Sequence, residues 1–548
     1  MRVTEAVAAT LAGLGADTVF GVVGSGNFHV TNALISRGAR YIAARHEGGA
    51  ACMADGWTRT AGRTGLLTVH QGPGLTNAMT GITEAAKSRT PLLVLAADVA
   101  AAAVRSNFRI DVAALASAVG AVPERLHSPA SAAADTARAY HTAAGQRRTV
   151  ILALPLDVQG GDCDLQPPPA APVLGPAAPA AGAADALAGQ LALAKRPVFV
   201  AGRGARVARA GPDLERLAGA CGALLATSAA ARGLFRGSPW DLDVSGGFAS
   251  PLTAELIGAA DLIVGWGCSL NMWTMRHGAL IGPETTVVQV DDDPAAIGAH
   301  RPVQLGVLGD VAETARAALA ALGDRFASGP RYRTDDVRGR IERQVRWRDV
   351  PYADETGDGL IDPRTLTIAL DDMLPVQRTV SVDSGNFMGY PSMYLAVPDA
   401  DAFCFTQAYQ SIGLGLPSAI GAAIARPDRL TVAALGDGGA LMSVSELETV
   451  VRLGLPMLIV VYDDEAYGAE VHHFGPDGHP LDTVRFPPAD LAGIGRGFGC
   501  DAVTVRRPAD LGPVQDWLDG PRERPMLIDA KVTSGQGAWW LEEAFRGH

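Results

Sequence analysis

The chain has 548 residues, enough for about three domains of ordinary size, and an apolar fraction of 48% supplies sizeable cores. Its 46 Lys and Arg against 58 Asp and Glu leave a net charge of −12, which excludes a broad basic surface for nucleic acid or anionic membrane and leaves small molecules and other subunits as partners. Cys52, Cys163, Cys221, Cys268, Cys404 and Cys500 are scattered without metal-like pairs and read as buried free thiols, and with no apolar signal core after Met1 the expected location is cytoplasmic.

The first unit, 1–165, alternates helix-like and strand-like runs at 7–14, 18–23, 41–44, 66–69 and 92–95. The proline run from Pro167 to Pro172, continuing to Pro179, is a stiff connector and sets a linker at 166–185. A central α/β unit, 186–325, offers strands at 197–201, 262–265 and 286–290. Charged residues between Asp324 and Asp358 suggest a second linker at 326–360. In the last unit, 361–548, a strand at 430–435, a helix at 443–453 with Glu446 in its first turn, and a strand at 456–462 follow one another. The expected fold class is α/β, with three doubly wound parallel-sheet domains.

Leu435-Gly436-Asp437-Gly438-Gly439 closes the first of those last strands, and Asp463-Asp464-Glu465-Ala466-Tyr467-Gly468 closes the next, with Asp464 lying 464 − 437 = 27 positions after Asp437. Both aspartates therefore reach one edge of a parallel sheet. At such an edge glycines let backbone N–H groups approach a phosphate, while carboxylate and carbonyl oxygens hold a hard cation against it.

This constellation resembles the signature of thiamine diphosphate-dependent enzymes, Gly-Asp-Gly followed at this distance by a pair of asparagines. The resemblance implies that Asp437, Asp464 and the backbone carbonyl of Ala466 hold Mg²⁺, with Gly436, Gly438, Gly439 and Tyr467 against the cofactor. Asp463 and Asp464 stand where asparagines are commoner; a carboxylate at 464 attracts the cation more strongly and repels the diphosphate. Arg45-His46-Glu47-Gly48-Gly49 resembles the segment whose glutamate bonds the aminopyrimidine ring, which gives Glu47 the task of promoting loss of the C2 proton. Ser411-Ile412-Gly413-Leu414-Gly415 resembles the loop that wedges an aliphatic side chain between the cofactor rings. That role falls to Ile412, with the Gln410 carbonyl on the pyrimidine edge and Asn386 of Asp383-Ser384-Gly385-Asn386 on the diphosphate.

The three units then take the order pyrimidine-binding, central and diphosphate-binding. Related acetolactate synthases carry FAD in the central domain, but Gly202-Arg203-Gly204 lacks a third glycine at Val207, and a purely structural domain is preferred over an FAD site. Because Glu47 and Asp437 lie in different domains, the resemblance implies a homodimer or homotetramer with active sites at subunit interfaces.

Around the reacting carbon the residues point two ways. Ser25 in Gly24-Ser25-Gly26 and His70 in Val69-His70-Gln71 match benzoylformate decarboxylase-like positions, and Glu470 matches a pyruvate decarboxylase-like one. Phe108 matches the acetolactate synthase-like pattern, in which Arg109 replaces a glutamine and either clamps a substrate carboxylate or pairs with Asp111; His473 replaces a tryptophan. The reading is an enzyme that decarboxylates a 2-oxo acid and transfers the acyl carbanion to a carbonyl acceptor. The alternative is a non-oxidative decarboxylase releasing an aldehyde, and a remote one is a catalytically silent cofactor-binding regulator.

Overall fold

Apolar runs bounded by glycine, proline and short polar stretches become parallel strands here, because a sheet covered by helices on both faces has no solvent side to alternate towards. The structure, a computed structural model, describes residues 1–164, 175–323, 331–535 and 537–541. The run Pro167 to Pro172 and Asp324 lie outside the described residues.

The first sheet comprises β1 (Thr18–Gly21), β2 (Arg40–Ala43), β3 (Gly65–Val69), β4 (Leu92–Asp98), β5 (Val122–Arg125) and β6 (Thr149–Pro155), in the order 2-1-3-4-6-5. The second comprises β7 (Pro197–Ala201), β8 (Leu224–Thr227), β9 (Asp241–Val244), β10 (Leu262–Trp266), β11 (Thr286–Asp291) and β12 (Leu305–Leu308), in the order 12-11-10-7-8-9. The third comprises β13 (Arg378–Val382), β14 (Phe403–Phe405), β15 (Leu430–Gly436), β16 (Met457–Asp463), β17 (Asp501–Val505) and β18 (Met526–Lys531), in the order 14-13-15-16-18-17. Every pairing is parallel, so the fold is α/β with three six-stranded parallel sheets.

The first and third sheets repeat one strand order, so each has a topological switch point: between β1 and β3 in the first, between β13 and β15 in the third. Ligands of doubly wound sheets bind beyond the strand carboxyl ends at that point. The corresponding gap in the central sheet lies between β7 and β10.

The first and third domains share one apolar core, in which Phe20, Met53 and Trp57 join Leu416, Ile420 and Leu447. Its axis is the crossing of the helices Glu47–Ala61 and Gly415–Ala425. Their backbones meet closely enough that a Cβ on Gly56 would lie 2.3 Å from the Ser418 carbonyl oxygen.

Two expected linkers hold more structure than their composition suggests. The helix Ala181–Leu193 starts inside 166–185. The helix Asp335–Gln344 lies inside 326–360, capped by Thr334, whose Oγ1 accepts from Val337 N–H at 3.2 Å. Val337 and Ile341, one turn apart among charges, bury themselves with Leu252 and Leu256 in the central domain's core. The helix expected at 443–453 is Glu446–Arg452, and a separate short helix, Asp437–Met442, precedes it. Five cysteines are buried and free, while Cys163 is half-buried. Among the described residues no helix is long and apolar enough to cross a membrane.

Candidate active site

The carboxyl ends of β13, β15 and β16 open into one cavity of 480 Å³. Its wall includes Asn386, Gln410, Ile412, Asp437, Asp464 and Tyr467, together with Gly436, Gly438, Gly439, Ala466 and Glu470. Every residue that the sequence singled out in the last domain, except His473, thus converges on one space. His473 instead sets its ring edge-on against Phe474, with centroids 4.5 Å apart.

The two adjacent aspartates of β16 and its loop face different surroundings. Asp463 is buried and bound by the Lys531 ammonium, which also donates to the Ala489 carbonyl at 2.8 Å. Asp464 lines the cavity and accepts from the Asn386 side chain. Burial, and after it the nearby Asp464 and Asp463, pushes the Asp437 carboxyl up to about 8. Burial likewise pushes Asp464 up to about 7, against the pull of the Ala466 N–H. A buried and a half-buried carboxyl that resist ionising side by side are a donor pair suited to a divalent cation, which removes the repulsion. Among the described residues no three His, Cys, Asp or Glu side chains gather around a common point, so such a cation would draw its remaining oxygens from backbone and ligand.

Glycine is required beside this pair for close approach: a Cβ on Gly438 would lie 2.6 Å from the Tyr467 ring and one on Gly439 2.4 Å from the Asp383 carboxylate. Bare backbone N–H groups there suit a diphosphate. Asp383 itself is buried and fixes the next loop, accepting from Gly413 N–H at 2.9 Å and Leu414 N–H at 3.2 Å. That loop presents Gln410 with φ of 60° and Ile412 to the cavity.

Several lining residues carried no sequence signal. Gln407 reaches the cavity with both polar side-chain atoms buried and, among the described residues, unpartnered, an orphaned amide that fits a polar ligand. Met272 and Trp273 come from the central domain and Trp540 from the C-terminal segment, where Ala538 N–H donates to Asn386 Oδ1 at 3.2 Å. Met272 and Trp273 sit in a loop and Trp540 in a short terminal helical turn, and their patterns advertise nothing.

The residues singled out in the first domain gather at the equivalent switch point of the first sheet. Glu47 opens its helix and accepts from Asn77 Nδ2 at 3.1 Å. His70 Nδ1 accepts from Gly26 N–H at 3.0 Å, so the neutral ring carries its proton on Nε2. The His70 ring meets Phe108 edge-on at 5.2 Å, and a Cβ on Gly74 would lie 3.0 Å from His70 Cβ and 3.6 Å from Glu47 Oε1. Ser25, between Gly24 and Gly26, is exposed beside them. Arg109 lies apart, in a 640 Å³ cleft with Asp98, Glu124 and Arg125. Asp111 caps a helix through Ala114 N–H at 2.9 Å. None of Glu47, Ser25, His70, Phe108 and Arg109 lines the Asp437 cavity of its own chain.

At the strand ends of the central sheet a cavity of 630 Å³ separates this domain from the first. Seven arginines, among them Arg59, Arg89, Arg203 and Arg206, line it against Asp291, Asp292 and Asp401. The walls suit an anion; none of these groups selects a flavin ring.

Three family models match successive parts of the chain: the thiamine pyrophosphate enzyme N-terminal TPP binding domain over residues 1–116, the central domain over 184–318 and the C-terminal TPP binding domain over 383–530. The chain is 29% identical to a sulfoacetaldehyde acetyltransferase of Rhodobacter capsulatus, over 99% of this chain and 97% of that protein. It is 29% identical to a probable 2-ketoarginine decarboxylase of Pseudomonas aeruginosa, over 93% and 90%. Similarity to the acetolactate synthase isozyme 2 large subunit of Escherichia coli is 27%, over 83% and 81%.

Proposed function

The chain belongs to the thiamine pyrophosphate enzymes, and from that premise we propose that it is a Mg²⁺-dependent, cytoplasmic carboligase that decarboxylates a 2-oxo acid and passes the acyl unit to a carbonyl acceptor. The observation that carries this reading is the single cavity shared by Asp437, Asp464, Asn386, Gln410 and Ile412.

In it Asp437, Asp464 and the Ala466 carbonyl would hold the cation, and the Gly436 to Gly439 backbone and Asn386 would take the diphosphate. The Gln410 carbonyl and the Ile412 N–H would hold the pyrimidine edge, and the Ile412 side chain would pack against the cofactor. Bound there, thiamine diphosphate supplies a carbon nucleophile and an electron sink for departing CO₂. Glu47 would come from a second copy of the chain and would hold a proton at the pyrimidine nitrogen. His70, with its proton on Nε2, and Ser25 would orient the acceptor carbonyl, whereas in an aldehyde-releasing enzyme His70 would deliver the proton that captures the acyl unit. Phe108 narrows the approach; Arg109, in a separate cleft, stays a weaker candidate for the substrate carboxylate, and His473, turned onto Phe474, a weaker one still. FAD remains the disfavoured occupant of the central domain.

A second reading, aldehyde-releasing decarboxylation, is supported by Glu470, which is exposed at the wall of the same cavity and so available as a proton donor. The named relatives include a decarboxylase as well as acyl-transferring enzymes. Product analysis with a panel of 2-oxo acids, with and without aldehyde acceptors, separates the two. Under the carboligase reading Glu470→Gln leaves ligated product nearly unchanged and suppresses only an aldehyde side product. Loss of the main product with first-turnover CO₂ release intact favours the decarboxylase.

A further inference from the structure

We propose that Glu84, in the first domain, is a positioning residue that sets the loop 406–412 and through it the placement of Gln407, Gln410 and Ile412 at the cofactor. The inference rests on the reading of Gln410 and Ile412 as cofactor contacts.

Glu84 lies in the helix Pro73–Lys87, remote in sequence from that loop and 1% exposed. Its two carboxylate oxygens reach across the domain boundary. Oε1 accepts from Ala408 N–H at 3.2 Å and Oε2 from Tyr409 N–H at 2.7 Å. Arg59 completes the clamp: it donates to Glu84 Oε1 at 2.7 Å and to the Phe405 carbonyl at 2.8 Å. The first domain therefore grips both the start of the loop and its middle.

Immediately beyond the gripped amides the backbone is strained. Gln410, the residue after Tyr409, has φ of 60°, a left-handed conformation that a non-glycine residue keeps only when its surroundings over-determine it. Charge-assisted bonds to the two preceding amides are such a determinant, stronger than neutral acceptors would be. A merely structural ion cluster has no need of them. Arg59 is already neutralised by Asp55, at 3.0 Å from its Nε, and Asp55 is in turn bonded by Thr90 Oγ1 at 2.7 Å. The loop also carries Gln407, whose amide borders the cavity and has no partner among the described residues. Asp55 and Arg59 belong to the helix that opens with Glu47, so one rigid element presents Glu47 at its start and clamps the loop 406–412 near its end. Because Glu47 does not line the cavity of its own chain, the clamp links two half-sites that serve different cofactors.

The test uses the full-length protein, first without and then with Mg²⁺ and thiamine diphosphate. Glu84→Ala removes both acceptors, Glu84→Gln keeps one, and Thr90→Val disturbs the same buried cluster without touching the loop. In cofactor-free protein, amide hydrogen exchange of a peptide covering 406–412 is expected to quicken by about tenfold or more in Glu84→Ala, as for a lost charged hydrogen bond, and by less in Glu84→Gln. In the loaded protein, proton exchange at C2 of bound cofactor is expected to slow by about 10- to 100-fold, the cost of misplacing a reacting group, with metal-dependent cofactor binding retained. Thr90→Val is expected to leave both readouts at wild-type values. If Glu84→Ala does not fold, Glu84→Gln decides. Wild-type amide and C2 exchange in the Glu84 variants, with C2 exchange impaired in Ile412→Ala, overturns the role of Glu84 and leaves the cofactor reading intact. Wild-type C2 exchange in Ile412→Ala overturns the reading beneath it.

Discussion

Asp437 and Asp464 show how a carboxylate pair announces a missing charge. The sequence exposed them through glycine spacing alone; the structure adds why Asp463 is a different matter, since Lys531 has taken its charge. Glu47 was singled out through the resemblance of its segment, since a carboxyl at a helix start by itself reads as a partner of the helix dipole, and its side chain accepts from Asn77. Replacing it by Gln keeps the shape and removes the acid. We expect Glu47→Gln to bind thiamine diphosphate while C2 proton exchange slows by about 10²- to 10⁴-fold, as for a positioned acid or base, measured by quenched-flow deuterium exchange. Unaltered exchange removes Glu47 from the chemistry. Gln407 was illegible by contrast, because its significance lies in having no partner among the described residues, and partners are a property of the fold.

At the scale of elements, strands were read well where the chain was continuously apolar: the strand expected at 197–201 is β7. The helix expected at 443–453 starts only at Glu446, because residues 443–445, with serines at 443 and 445, form the turn that separates it from the helix Asp437–Met442. The helix Asp335–Gln344 was hidden by charge, its apolar stripe being only two residues wide. No pattern marked the crossing of Glu47–Ala61 over Gly415–Ala425, where Gly56 meets Ser418 and a Cβ on Gly421 would lie 2.0 Å from the Met53 carbonyl oxygen. A methyl has no room there. Gly56→Ala is expected to destabilise the protein by about 1–3 kcal/mol, the usual range for overpacking a tight interior, seen as a lower midpoint in denaturant. An unchanged midpoint contradicts the packing described.

In the whole molecule, two halves with the same strand order each leave an incomplete set of groups at their switch points. One has Glu47, His70 and Ser25; the other has the Asp437 cavity. Exposed Phe28, Val104 and Phe108 belong to the first half, and exposed Leu441, Met442 and Phe474 to the second, apolar surface of the kind a second copy covers. If sites form between copies, co-expressed Glu47→Gln and Asp437→Ala chains assemble hybrids with one intact site in two, and activity returns to preparations that are each inactive alone. Hybrids as inactive as their parents contradict the shared site. The most direct test of the account is calorimetric titration of cofactor-free protein with thiamine diphosphate in Mg²⁺. It predicts one cofactor per chain, with binding abolished by chelation and in Asp437→Ala; stoichiometric binding that survives both would contradict it.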